Sequence, residues 1–169
     1  MWLQTAGYNT YYTGKFMNSH STENYNKPFP NGWNQTDCTS SHPGFDVSSA
    51  DSLTVLLDPS TYDYRNSTFQ RNHDVPVVSN GYSTDLITQH TLRYIDEAAQ
   101  SDRPFFVGVA PIAPHGKSNH LENTDTSYFT SPMPAQRHET LFPHAVVPRG
   151  ENFNPDSVSG DVSILDVVF

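Results

Sequence analysis

The chain has 169 residues, room for one domain of ordinary size, with 35% hydrophobic and 12% aromatic residues, 13 prolines and one cysteine. The hydrophobic share lies below the roughly 45–50% of a self-sufficient globular domain, yet the aromatic share is far too high for a solvated tail, so the expectation is a loop-rich globular piece whose core is completed by further chain. A net charge of −9 with only 9 Lys+Arg excludes the clustered cations that nucleic acid or an anionic membrane surface would need, but not one small anion held by local groups.

Residues 1–6 read as the end of a helix, with Gly7 as its natural C′ residue. Residues 8–13 are β-branched and aromatic and predict a strand that ends in Gly14-Lys15. Residues 18–52 are dense in Gly, Pro, Asn and Ser and predict a long loop, a length usual only where a loop carries function. Two strands are expected next, over residues 52–57 and 62–65, with Asp58-Pro59-Ser60 as the turn between them. The sequons Asn34-Gln35-Thr36 and Asn66-Ser67-Thr68 fall in polar, turn-rich stretches, which makes Asn34 and Asn66 candidate glycosylation sites.

Residues 83–100 predict a helix capped by Ser83 or Thr84, with Asp85 in its first turn and Ile87, Thr91, Tyr94, Ile95 and Ala98 on one face. Arg103-Pro104 ends it, and the apolar run 105–113 predicts a buried strand that stops at Ala113-Pro114-His115. Helix, tight turn and buried strand form the αβ half of an α/β unit. Beyond His115 the chain reads as polar loop, with Pro132, Pro134, Pro143 and Pro148 and no internal repeat. Met1-Trp2-Leu3-Gln4 is no signal peptide, and no apolar run approaches the length of a transmembrane helix. A half helix at the start, the sequons and an apolar final Val167-Val168-Phe169 together suggest an internal piece of a secreted or vacuolar/lysosomal protein.

Two groups able to carry positive charge follow predicted strands: Lys15 and His115. If those strands are parallel neighbours, both groups emerge at one carboxyl edge, where functional groups of open α/β sheets collect. An ammonium and an imidazole converging there would hold a tetrahedral oxyanion, with histidine also a candidate acid for an alkoxide leaving group. On residue type alone, a solvated lysine and a surface histidine are the commoner outcomes. The remaining histidines, His120, His138 and His144 among them, show no metal-ligand spacing, and Asp58, Asp63, Asp74 and Asp85 are scattered, so no internal metal site is expected. Cys38 alone forms neither an internal disulfide nor a cysteine metal site.

Leu3-Gln4-Thr5-Ala6-Gly7-Tyr8-Asn9-Thr10 followed by Gly14-Lys15-Phe16-Met17-Asn18 resembles the helix, Ala-Gly-Tyr, strand and Gly-Lys segment of the sulfatase family. The Gly-Lys-aromatic-x-Asn form looks most like the glucosamine-6-sulfatase and fungal arylsulfatase branch. Pro30-Asn31-Gly32-Trp33, Tyr82-Ser83-Thr84-Asp85, Pro104-Phe105-Phe106 and Ala113-Pro114-His115-Gly116 continue that branch's pattern in order, over roughly residues 3–116.

The resemblance implies an α/β fold: part of an alkaline-phosphatase-like sulfatase fold with a mixed sheet flanked by helices, loop-rich and incomplete, with residues 1–169 as the middle of the catalytic domain. It implies a sulfuric ester hydrolase acting on a small-molecule or glycan sulfate ester of an aromatic or sugar alcohol. Lys15 matches the lysine that contacts the sulfate and the formylglycine side chain, His115 the histidine that contacts the sulfate, and Asn18 a position near the site. Met17 stands where many arylsulfatases carry histidine, and Lys117 where proline often stands; Lys117 adds a cation or is merely exposed. Cys38, in Asp37-Cys38-Thr39-Ser40-Ser41, lacks the Cys-x-Pro/Ala-Ser-Arg pattern from which the formylglycine nucleophile forms. Calcium is expected in the intact enzyme, but with its ligands outside this chain. The isolated chain is therefore expected to be inactive and poorly stable, with an open sheet edge. Two alternatives stay open: a phosphodiesterase or phosphonate hydrolase of the same fold, and a non-catalytic, truncated glycoprotein remnant.

Overall fold

The computed structural model describes residues 2–27, 30, 32–33, 53–120, 127–150 and 153. Asn34, Cys38 and the last residues, Val167-Val168-Phe169, lie outside the described residues, as does the whole of 34–52 within the expected loop. The chain divides into two compact units, residues 1–135 and 136–169.

In the first unit, the short helix α1 (Trp2–Thr5) ends in two bonds, Gly7 N–H to Gln4 O at 2.9 Å and Tyr8 N–H to Leu3 O at 3.0 Å. With Gly7 at φ +92°, this is the Schellman ending that the glycine predicts. Strand β1 (Asn9–Lys15) follows at once and runs through Gly14-Lys15 rather than stopping before it. Strand β2 (Leu53–Leu57) is buried along its whole length. Each of its buried aliphatic side chains contributes roughly 1.5–3 kcal/mol of apolar burial.

The next strand departs from the expectation. Residues 62–65 are turn, and β3 occupies Asn66–Arg71, followed by β4 (Val77–Asn80). Ser67, Thr68 and Gln70 are buried on β3, so polar composition conceals an interior strand. Their hydrogen bonds are local: Ser67 Oγ donates to Asp63 O, Thr68 Oγ1 accepts from Ser60 Oγ at 2.6 Å, and Gln70 Nε2 donates to Asn72 O at 2.9 Å while its Oε1 is buried without a partner.

Helix α2 (Ser83–Ala98) starts where predicted, but its N-cap is Tyr82, and neither Ser83 nor Thr84 caps it. Both hydroxyls are buried without a partner, and Ser83 N–H donates to Tyr64 O at 2.8 Å, which draws the helix start against the turn before β3. Ile87, Tyr94 and Ala98 face the sheet as expected, whereas Ile95 is exposed.

Strand β5 covers Phe105–Ala110 only, and it is not buried: Phe105, Phe106 and Val109 are 43%, 44% and 46% exposed. The reason is topological. Among the described residues the sheet runs β4-β3-β2-β1-β5, so β5 is an edge with one neighbour, and an apolar run that would suit a strand covered on both faces lies half open. Past His115 the expected loop contains a hairpin, β6 (Lys117–His120) with β7 (Ser127–Thr130).

The sheet is mixed. β1 pairs in parallel with β2 and β5, while β2–β3 and β3–β4 are antiparallel. Side chains alternate across it. Leu56 and Phe69 pack with Tyr64, Ile87 and Ile112, and Tyr11 packs with Tyr94 and Ala98, which places α2 on one face. Leu53, Val55 and Leu57 pack with Tyr12, Phe16, Tyr25 and Trp33, so the segment after β1 covers the other face. The second unit holds a 3-10 turn at Gln136–His138 and the Arg149 guanidinium 4.9 Å from the Phe153 ring.

Candidate anion site at the carboxyl ends of the parallel strands

β1 and β5 are parallel neighbours in continuous register from Asn9↔Phe105 to Gly14↔Ala110. That register sends Lys15 and the Ile112–His115 turn off the same sheet edge, as the sequence reading requires. β2 is the third parallel strand, so the turn after it, from Asp58 to Tyr64, leaves at this edge too. Three loops therefore meet where three parallel strands end.

The junction of β1 and β5 is unusually close. A Cβ on Gly14 would lie 2.0 Å from the Ala110 carbonyl oxygen, and Gly14 holds φ at +111°. Glycine at this position lets the backbone turn into Lys15 without displacing β5. The Tyr12 hydroxyl donates to the Lys15 carbonyl and so holds the end of β1. The Lys15 ammonium donates to Asn18 Oδ1 at 2.8 Å and stands 5.3 Å from the centre of the Tyr62 ring. Asp58 ties the following residues to the end of β2: its carboxylate accepts from Ser19 N–H at 3.0 Å, and its own N–H donates to His20 O at 2.9 Å.

His115 is exposed, but its backbone is fixed. Its N–H donates to Ile112 O at 2.7 Å, and its carbonyl accepts from the buried Tyr64 hydroxyl at 2.6 Å. Nδ1 lies 2.9 Å from Gly116 O. A carbonyl only accepts, so Nδ1 carries the proton in this contact and Nε2 is the nitrogen left for a ligand. The imidazole stacks on the Tyr62 ring, with centroids 4.0 Å apart and planes at 19°, and Phe129 from β7 meets both rings edge-on, at 5.2 Å from His115 and 5.9 Å from Tyr62.

The structure thus brings together Lys15, Asn18 and His115, with the Tyr62 ring in contact with both groups able to carry positive charge. Lys117 opens β6 two residues beyond His115, paired with Thr130, and the Lys15–Tyr62–His115 contacts do not include it. Burial holds the His20 imidazole below its usual range, against a weaker pull from Asp58, so His20 is neutral near pH 7 and adds no competing cation. Among the described residues no three His, Cys, Asp or Glu side chains form a group that could hold a metal ion. Asn66 is exposed at the first position of β3, with Ser67 and Thr68 buried behind it, rather than in a loop.

Tyr62, Tyr64 and Phe129 were not singled out by sequence. Tyr62 and Tyr64 had a legible signal: they follow a strand parallel to β1, so they belong to the same edge. Phe129 had none, because it depends on a short polar hairpin.

A sequence profile of the family described as "Sulfatase" matches residues 1–149. Among curated proteins, the chain is 36% identical to an arylsulfatase of Volvox carteri over 89% of its length and 36% identical to an arylsulfatase of Chlamydomonas reinhardtii over 96%. It is also 39% identical over 59% of its length to the sulfatase ppz1 of Metarhizium majus. The chain spans only 21–23% of these relatives' own length. No solved structure matches it.

Proposed function

The chain belongs to the sulfatase family, with the mixed sheet of an alkaline-phosphatase-like α/β fold, and from that premise we propose that it supplies the part of a sulfuric ester hydrolase that holds the substrate's sulfate. The observation that carries this reading is the meeting of Lys15 and His115 on one ring at the carboxyl edge of parallel β1 and β5. A sulfate ester R–O–SO₃⁻ carries its charge on three terminal oxygens. The Lys15 ammonium, oriented by Asn18, neutralises that charge as a compact cation with donors to spare.

His115 contributes through Nε2. When the ring is protonated, Nε2 donates to a sulfate oxygen or to the ester oxygen. As the S–O bond to the organic group breaks, that proton passes to the departing alkoxide and the alcohol leaves neutral. Sulfur takes its new bond from an attacking group other than Lys15 and His115, and the proposed contribution of these two residues is binding and protonation. Lys117 remains a candidate second cation at the rim. We read residues 1–169 as part of a catalytic domain whose substrate is a sulfate ester of an aromatic or sugar alcohol.

The exposed Asn66 side chain of the sequon supports glycosylation there and a secretory route, with a secreted or vacuolar/lysosomal destination. Among the described residues no helix is long and apolar enough to cross a membrane.

Titration of the protein with sodium sulfate, followed by NMR with sodium chloride as the control, tests the reading. Sulfate is expected to shift the Lys15 and His115 side-chain signals saturably. Lys15→Gln and His115→Gln are each expected to weaken binding by about tenfold or more, the loss of one charged hydrogen bond. Sulfate binding that survives both substitutions would overturn it.

A further inference from the structure

We propose that Tyr62 is the positioning residue of the anion site: its one ring sets where the Lys15 ammonium and the His115 imidazole stand. The inference rests on the sulfate-holding reading of those two groups. None of the motifs that carry the family resemblance includes Tyr62 or Phe129.

The physical problem is to keep two cationic groups close before any anion arrives. An ammonium and an imidazolium repel, and Lys15 has a long, flexible stem whose ordering opposes a single placement. The face of a tyrosine ring is negative, so it attracts both groups without neutralising either. The Tyr62 ring centre stands 5.3 Å from Lys15 Nζ and 4.0 Å from the centre of the His115 ring, whose plane is nearly parallel to it. A carboxylate in its place would hold both cations more strongly but would compete with sulfate for them. An aromatic face leaves their N–H donors for the ligand.

Tyr62 is itself held. Its ring packs against the core of Leu56, Tyr64, Phe69, Ile87 and Ile112, and its carbonyl accepts from Ser118 N–H at 3.4 Å. Phe129 closes edge-on against it at 82° and against His115 at 70°. Gly116 makes room for this: a Cβ there would meet Phe129 Cβ at 3.2 Å and Thr130 O at 3.0 Å. The ring is thus fixed from the core side and from the hairpin, while the two groups it places reach the surface.

The test compares Tyr62→Phe, which keeps the ring, with Tyr62→Leu, which keeps the bulk and loses the ring. Circular dichroism monitors folding, NMR reads the His115 ring protons, and titration with sodium sulfate gives affinity. The ring protons of His115 are expected to lie upfield in the parent protein and in Tyr62→Phe, and to return to ordinary positions in Tyr62→Leu. Sulfate affinity is expected to hold within about twofold in Tyr62→Phe and to fall about 5–20-fold in Tyr62→Leu. Parent-like affinity in Tyr62→Leu would overturn the inference, as would a Tyr62→Phe variant as weak as Tyr62→Leu. Sulfate that leaves the parent unmoved, with the ring-current pattern as expected, would support placement by Tyr62 and overturn the sulfate reading alone.

Discussion

Gly14 stands so close to Ala110 that a Cβ on the glycine would lie 2.0 Å from the Ala110 carbonyl oxygen. The contact joins β1 to β5 one residue before Lys15, at the place where the site begins. Gly14→Ala must both adopt φ near +111° and push the β5 backbone away. A loss of about 2–4 kcal/mol is expected, read as a lower urea midpoint, with amide exchange accelerated in β5 before β3. An unchanged midpoint would show that β5 does not lie this close.

Tyr64 offers a gentler perturbation of the same edge. It is fully buried and donates to the His115 carbonyl at 2.6 Å. Tyr64→Phe keeps the packing and removes the bond, at a cost of about 1 kcal/mol. Because the bond anchors the turn that carries the imidazole, sulfate affinity is expected to drop about 3–5-fold while the melting temperature moves little. A melting temperature that falls with affinity unchanged would confine Tyr64 to the core.

How much of this was legible follows from where each constraint originates. Lys15 and His115 were placed correctly because strand ends in an α/β unit dictate which edge a following residue occupies. β3 was hidden because Ser67, Thr68 and Gln70 are buried polar residues that bond to Asp63, Ser60 and Asn72, contacts that no alternation of apolar residues announces. The hairpin of β6 and β7 was hidden for a related reason: it is short and polar, steadied by Asn119 donating to Thr130 Oγ1 at 2.9 Å. β5 misled in the opposite sense, since its apolar residues suit a covered strand and its place is an edge.

That edge has a consequence for solubility. Among the described residues β5 pairs with β1 alone, so its free side lies alongside the exposed Phe105, Phe106 and Val109. The protein is expected to associate as its concentration rises, measured by light scattering. Phe106→Lys is expected to suppress this with a stability cost under about 1 kcal/mol, because Phe106 is already 44% exposed. Association that is unaffected by the lysine would place the contact elsewhere.

The opposite face of β1 sets a limit on alkaline stability. Tyr11 and Tyr94 stack there with ring centroids 5.4 Å apart, buried between β1 and α2, and the Tyr94 hydroxyl lies 2.6 Å from Thr54 Oγ1. Burial pushes both phenols up to about 12 from an ordinary 10.0, reinforced at Tyr11 by the Glu97 carboxylate and opposed at Tyr94 by its bond with Thr54. A phenol with a raised pKa binds its proton more tightly in the folded state. Its contribution is therefore complete below pH 10 and is lost as pH rises from 10 through 12. Tyr94 alone accounts for on the order of 2–3 kcal/mol over that interval. The urea midpoint is expected to stay level up to about pH 9.5 and then fall, and tyrosinate absorbance is expected to rise in step with unfolding for these two residues. Tyr94→Phe removes one of the two ionisations and is expected to flatten the fall, even though it sacrifices the Thr54 bond at neutral pH. An equally steep fall in that variant would show that the alkaline transition belongs to other residues.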